Sequence, residues 1–235
     1  MINNICILGY GRFGQVLESV VPQIFPDCTV IMAKRDFEKV ADADLIIPAV
    51  PIREFEEVIK TIIPFLKDTA IVMDVCSVKV YAKKIMLEHL PKQIQILATH
   101  PMFGPGTLKK TQGNLRRLKI VVDAVRIDAT NEEFISSACR DIGLEMIAMS
   151  AEDHDRYAAQ FHFTSQFIAS VLKNLEIQKT PIDTASVAVL HDFMEFVQTD
   201  SLALMQDMLQ YNPYCQNQLE RIESSVEHIA HTISP

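Results

Sequence analysis

One stretch limits the folds open to this chain more than any other. The apolar run Ile5-Cys6-Ile7-Leu8 leads into Gly9-Tyr10-Gly11-Arg12-Phe13-Gly14, and Phe13, Val16, Leu17 and Val20 then share one helical face. A buried strand, a glycine turn and a helix in that order open a dinucleotide-binding unit. In such a unit Gly9 permits the tight turn, Gly11 lets a pyrophosphate approach the backbone, and Gly14 lets helix pack on strand. The phosphates sit at the helix N-terminus, beside Arg12 and Phe13, where free N–H groups and the dipole favour anions. The chain has 7 glycines in all, and three of them are spent here.

A second strand is expected over Cys28 to Met32, and its end is where the ribose is read. An NAD site usually places a carboxylate there for the 2′-hydroxyl, whereas an NADP site replaces it with groups that hold a phosphate. This chain has Lys34 and Arg35. Two cations favour NADP, because they pair a phosphate that a carboxylate would repel. Asp36, one residue on, keeps NAD possible.

The following segments alternate as a parallel sheet with covering helices does. Strands are expected over Asp44 to Pro51, Thr69 to Val75 and Ile94 to Leu97, with helices from Glu54 to Leu66 and up to about Leu90. In open α/β sheets ligands bind beyond the C-terminal strand ends, so Gly9, Ala49 with Pro51, Ser77 and His100 should converge on one crevice. Ser77 can serve there as a ligand group or as a helix N-cap. His100 lies in Ala98-Thr99-His100-Pro101-Met102-Phe103-Gly104-Pro105-Gly106, where two prolines and two glycines are expected to exclude both helix and strand. Further strands are expected at Lys119 to Asp123 and Glu145 to Ala148, with a helix over Asn131 to Ile142 ended by Gly143.

After Met149 the strand pattern stops. Ala158, Phe161, Ser165, Ile168, Leu172 and Leu175 fall at 3-4 spacing, and Leu219, Ile222, Val226, Ile229 and Ile233 repeat it. Narrow seams of that kind want a partner helix, within the chain or from a second copy. About 85 residues of helix make a small core, so a homodimer packed through this region is expected. The fold class is therefore α/β: an N-terminal Rossmann-type, mostly parallel sheet over residues 1–149, followed by an all-helical dimerisation and substrate domain over 150–235. Net charge is −8 with the charges interspersed, which argues against nucleic acid or an anionic membrane as partner. The chain lacks an apolar run of membrane-spanning length and the pattern of a signal peptide. Five scattered cysteines have no metal-like spacing, so no metal is expected and a reducing cytoplasm is the simplest home.

Four stretches carry a family resemblance: Gly9 to Gly14; Asp74-Val75-Cys76-Ser77-Val78-Lys79; Thr99 to Pro105; and Glu145 to Ser150 leading into His154-Asp155-Arg156-Tyr157-Ala158-Ala159. Gln210-Tyr211-Asn212 with Gln218 to Arg221 is a fainter fifth. Through them the chain resembles the prephenate and arogenate dehydrogenases, most closely the plant-type NADP-dependent arogenate dehydrogenases. The resemblance implies oxidation and decarboxylation of a cyclohexadienol to a phenol, with NADP or NAD reduced. The residues suit that chemistry. The hydroxyl oxygen must lose its proton as it becomes carbonyl-like, and an imidazole, with an unperturbed pKa of about 6.5, suits the task. His100 is assigned to accept that hydrogen bond and proton, and Ser77 to position the same oxygen. Lys79 is left to approach the nicotinamide or to lie on a helix surface.

Two departures concern the substrate clamp. Many members carry a Thr-Arg-Ile-Ala segment whose arginine holds a carboxylate, and here the comparable region is Val197-Gln198-Thr199-Asp200-Ser201. His162 and Gln166 stand where relatives have the two side chains in the opposite order; with Gln198 they are the carboxylate ligands expected here. The basic cluster Lys109, Lys110, Arg116, Arg117 and Lys119 is a further source of positive charge or a solvated face. Arogenate has an amino group where prephenate has a ketone, and Asp155 or Asp200 would suit it. Lys34, Arg35 and the missing arginine favour arogenate with NADP. The alternatives are a prephenate dehydrogenase giving 4-hydroxyphenylpyruvate, or a non-catalytic NADP-binding module of the same fold.

Overall fold

The chain is described here by a computed structural model covering residues 2–197 and 201–234. It divides into two compact units, Met1–His154 and Asp155–Pro235. The first is built on one seven-stranded sheet: β1 (Asn4–Leu8), β2 (Thr29–Ala33), β3 (Leu45–Pro48), β4 (Ile71–Asp74), β5 (Gln95–Pro101), β6 (Lys119–Arg126) and β7 (Glu145–Ala148). Their order is β2-β1-β3-β4-β5-β6-β7. All neighbours are parallel except β5 and β6. Five helices connect them: α1 (Arg12–Ile24), α2 (Ile52–Ile62), α3 (Lys79–His89), the short α4 (Pro105–Lys110) and α5 (Ala129–Asp141). β3 and β4 read as unbroken apolar runs because helices cover both of their faces. On one face Ile5, Ile7, Leu45, Ile47, Ile71 and Leu97 pack with Val16, Leu17 and Val20 of α1 and Ile135 of α5. Elsewhere in the sheet unit α2 packs beside α3.

The expectation that the prolines and glycines around His100 exclude regular structure is overturned. β5 runs on through Pro101, with His100 opposite Val121 and Pro101 opposite Ile120 of β6. Alternate N–H groups of a strand point to opposite sides, and the Met102 N–H donates to the Lys119 carbonyl on β6 at 2.8 Å. The nitrogen of Pro101 therefore faces the β4 side, where pairing has already ended at Ala98. Its missing donor costs no ladder bond there. Pro105 then takes the first position of α4, where a helix needs no N–H.

The second unit is helical. α6 (Ala151–Tyr157) crosses the division and continues through a π-helical stretch, Ala158–Phe163, into α7 (Thr164–Asn174); α8 (Ala185–Val197), α9 (Leu202–Tyr211) and α10 (Cys215–Ile233) follow. The π stretch corrects the face expected over Ala158 to Leu175. A π turn adds a residue to the helical repeat, so the phase shifts. Phe161 and Leu175 end at 66% and 64% exposure, while Phe163, Gln166 and Ala169 are buried instead. On α10 the expected seam is half covered: Ile222 is buried, and Val226, Ile229 and Ile233 are exposed.

Candidate active site

The glycine turn has the shape its spacing implies. Gly9 has φ of +100°, a left-handed conformation that favours glycine, and a Cβ there would lie 2.4 Å from the Ala49 carbonyl. A Cβ on Gly14 would lie 2.4 Å from the Gly9 carbonyl, so this glycine lets α1 close on the turn. At Gly11 a Cβ would meet nothing within 4 Å. The space is on the outside of the turn, where Gly11 is the N-cap of α1, with no side chain capping it and no acid in the first turn. An anion fits this arrangement: the helix offers uncapped N–H groups and a positive dipole end beside an open approach. Arg12 is exposed at the first helical position and Phe13 packs partly into the core. Ala49, whose N–H donates to the Leu8 carbonyl at 2.7 Å, and Pro51, the N-cap of α2, carry the β3 end past this turn.

Lys34 and Arg35 follow β2 and are both exposed. Lys34 Nζ sits 4.6 Å from the centre of the Tyr10 ring. This cation–π contact links the end of β2 to the glycine turn. Asp36, one residue on, pairs with Lys39 at 3.6 Å.

The ends of β4 and β5 are joined by a buried network. Asp74 is fully buried; its carboxylate pairs with Lys79 Nζ and accepts from the N–H groups of Cys76 (3.0 Å) and Thr99 (3.1 Å). Burial pushes the Asp74 carboxyl up, against the pull of Lys79 and those N–H donors. Lys79 Nζ also donates to the Thr99 carbonyl at 2.5 Å, and Thr99 Oγ1 donates to the Asp74 carbonyl at 2.6 Å. Lys79 does not lie on a helix surface: it is 1% exposed and ties the residue before His100 to the strand beside it. Ser77 is half-buried in the turn between β4 and α3. It does not cap the helix, since the N-cap is Val78 and no side chain serves it.

His100 is 5% exposed, and its Nδ1 lies 2.8 Å from Nε2 of His154, itself 3% exposed. The two rings meet edge to face, with centroids 5.0 Å apart and planes at 72°. A residue 54 positions away in the chain thus enters the site. Sequence reasoning quoted His154 only as part of a resemblance; its signal was a histidine in the first turn of a helix straight after a strand. That turn is anchored by Asp123 of β6, whose Oδ2 accepts from the Ala151 N–H at 3.0 Å and from Lys83 Nζ at 2.8 Å. His100 and Ser77 both lie at the C-terminal edge of the parallel strands, the edge that carries Gly9 and Ala49.

Within the second unit the Gln166 amide meets Nε2 of His162 at 2.9 Å, one turn apart across the end of the π stretch. Asp155 is fully buried, and its carbonyl accepts from Asn212 Nδ2 at 2.9 Å. Gln198 and Asp200 lie outside the described residues. Lys109, Lys110, Arg116, Arg117 and Lys119 are all exposed.

Comparison with known proteins bears on this geometry. A family model described as prephenate dehydrogenase, nucleotide-binding domain, matches residues 24–132, and one described as TYRAAT1-like, C-terminal domain, matches residues 171–234. The chain is 31% identical to Arogenate dehydrogenase 2, chloroplastic, of Arabidopsis thaliana, over 96% of this chain and 68% of that protein. It is 32% identical to Arogenate dehydrogenase 1, chloroplastic, of the same plant, over 95% of this chain but 38% of that protein. Among solved structures, prephenate dehydrogenase from Aquifex aeolicus in complex with hydroxyphenyl propionate and NAD+ superposes with a TM-score of 0.75 at 19% identity, covering 99% of this chain and 91% of that one. Synechocystis arogenate dehydrogenase gives a TM-score of 0.63 at 18% identity, covering 98% and 91%. At such identities the structural likeness speaks for the fold.

Proposed function

Because this chain belongs to the prephenate and arogenate dehydrogenase family, we propose that it oxidises and decarboxylates arogenate to tyrosine with NADP as hydride acceptor. The observation that carries the reading is the buried His100, held against His154 on the sheet edge that also bears Ser77 and the uncapped glycine turn. The backbone of Gly9 to Gly14, with Arg12 and Phe13, would hold the diphosphate, and Ala49 and Pro51 would border the nicotinamide half. Lys34 and Arg35, two exposed cations beside that turn, would hold the 2′-phosphate, which is why NADP is assigned rather than NAD.

When bound, the nicotinamide supplies the hydride acceptor for the carbinol hydrogen. Ser77 donates to and positions the substrate hydroxyl. His100 takes the hydroxyl proton as the carbon–oxygen bond gains double-bond character. The bond to the ring carboxylate then breaks, its electron pair flows through the ring to that oxygen, and carbon dioxide leaves. His100 returns the proton to the phenolate, so the reaction is proton-neutral overall. The side-chain assignments of the second unit, His162, Gln166 and Gln198 to the substrate carboxylates and Asp200 to its amine, rest on the resemblance and on their chemistry. Asp155, the other acid considered for the amine, is fully buried.

The reading includes residues 1–149 as the cofactor domain, 150–235 as the substrate and dimerisation domain, and a homodimer. It also includes a reducing, cytoplasmic setting, which the five free cysteines suit; the plant relatives are named chloroplastic. No helix of the described residues is long and apolar enough to cross a membrane. The test is steady-state kinetics with arogenate and prephenate, each with NADP and NAD. Arogenate with NADP should give the highest kcat/KM; a tenfold preference for prephenate would reverse the substrate assignment. His100→Asn should lose turnover by about 10² or more while still binding NADP; a cofactor-binding module would be indifferent to it.

A further inference from the structure

Two imidazoles in hydrogen-bond contact pose a question that the reaction answers. With both rings neutral, one of the facing nitrogens must carry the hydrogen and the other must accept it. If His154 Nε2 donates, neutral His100 carries its own hydrogen on Nε2 and has no basic nitrogen to offer a substrate. If His100 Nδ1 donates, Nε2 is the basic nitrogen. Only the second arrangement makes His100 a proton acceptor, and it needs His154 to present a bare Nε2.

We infer that His154 is a positioning residue that holds His100 in the Nδ1–H tautomer, with the base at Nε2; this deepens the dehydrogenase reading above and rests on it. The geometry supports a built pair. β6 holds both segments that carry the rings: it pairs the backbone of His100 with Val121. Through Asp123 it also anchors the Ala151 N–H in the turn that carries His154. That turn is closed by the His154 N–H on the Ser150 carbonyl (2.9 Å) and the Asp153 N–H on Ser150 Oγ (3.1 Å). When His100 takes a proton it remains the donor toward His154, so nothing rotates and the bond strengthens as it becomes charge-assisted. Around the pair Asp74 is matched with Lys79 and Asp123 with Lys83, and α6 itself carries Glu152, Asp153, the fully buried Asp155 and Arg156 beside His154.

Long-range proton–nitrogen NMR on the unmodified protein, above the pH at which imidazoles titrate, should show His100 protonated at Nδ1 and bare at Nε2. The opposite tautomer would overturn the inference whether or not the protein is a dehydrogenase. In kinetics, His154→Phe removes the acceptor and should lower kcat by about 10² with KM for NADP within about threefold, and His154→Gln, which keeps an acceptor, should regain about tenfold. His154→Asp places an anion there and should move the acidic limb of kcat/KM up by about one pH unit. A merely structural role would leave that limb in place. Full turnover in His154→Phe, or an unmoved limb in His154→Asp, would sink the proposal. Absence of turnover in the unmodified protein would instead sink the activity reading, leaving the tautomer to the NMR result.

Discussion

Lys79 and Cys139 show how much a single buried side chain decides. An ammonium with 1% exposure survives only because Asp74 and the Thr99 carbonyl receive it. Replacing it by an apolar side chain would leave the Asp74 carboxyl buried without its cation. Cys139 on α5 is 3% exposed and lines an apolar cavity of about 30 Å³ with Val20, Val21, Met73 and Ile135. Burial pushes its thiol from 9.0 up to about 11. Between those values the unfolded thiol ionises while the folded one stays protonated. The unfolded state then binds fewer protons, and stability falls as pH rises, by up to about 3 kcal/mol by the top of the window. Cys139→Val should reduce this alkaline loss, leaving the contributions of Cys6, also pushed up to about 11, and of Cys215, pushed up to about 12. It should cost little at neutral pH, because the larger side chain adjoins the cavity. Urea unfolding of both proteins from pH 8 to pH 11 measures the difference, and parallel curves would rule the thiol out.

At the scale of elements, the opening turn separates packing from binding. Gly14→Ala forces a Cβ to 2.4 Å from a backbone oxygen, so α1 must shift. It should lose about 1–3 kcal/mol of stability and NADP affinity with it. Gly11→Ala meets nothing within 4 Å at a φ of −70° that any residue adopts. It should keep stability within about 0.5 kcal/mol, yet weaken NADP by about tenfold if the diphosphate approaches there. Thermal melts and NADP titrations of the two variants decide it; unchanged binding in Gly11→Ala would move the diphosphate elsewhere. This turn was legible in the sequence because glycine geometry is local, and the parallel strands were legible because burial on both faces writes a continuous apolar run. The extension of β5 through Pro101 was not, since it depends on which side of the strand lacks a neighbour. The π stretch from Ala158 was not either, because a 3-4 apolar spacing carries no mark of one inserted residue. His154 joins His100 by tertiary contact across β6, which no spacing within either segment records.

The whole molecule distributes its exposed apolar surface unevenly. Of the thirteen large hydrophobic residues exposed among the described residues, ten belong to the unit Asp155–Pro235, which is the smaller of the two. A unit of that size buries too little to be strongly stable alone, and its uncovered α10 positions Val226, Ile229 and Ile233 fall at the 3-4 spacing of a packing seam. Ile222, earlier on the same seam, is already buried within the chain, so the open part continues a face the fold has begun to use. A second copy presenting the same face is the simplest occupant, since isologous contact lets one apolar stripe cover itself. Sedimentation of the intact protein at micromolar concentration should therefore give a dimer whose melting temperature rises with concentration, as mass action requires. Val226→Glu with Ile229→Glu should yield a monomer, because each buried carboxylate would have to be desolvated without a partner. The sheet unit should keep its NADP affinity in that variant, since the turn that would bind the diphosphate belongs wholly to the first unit. A chain that sediments as a monomer at 100-fold higher concentration than the assay, with those residues intact, would refute the assembly and leave the seam to another partner.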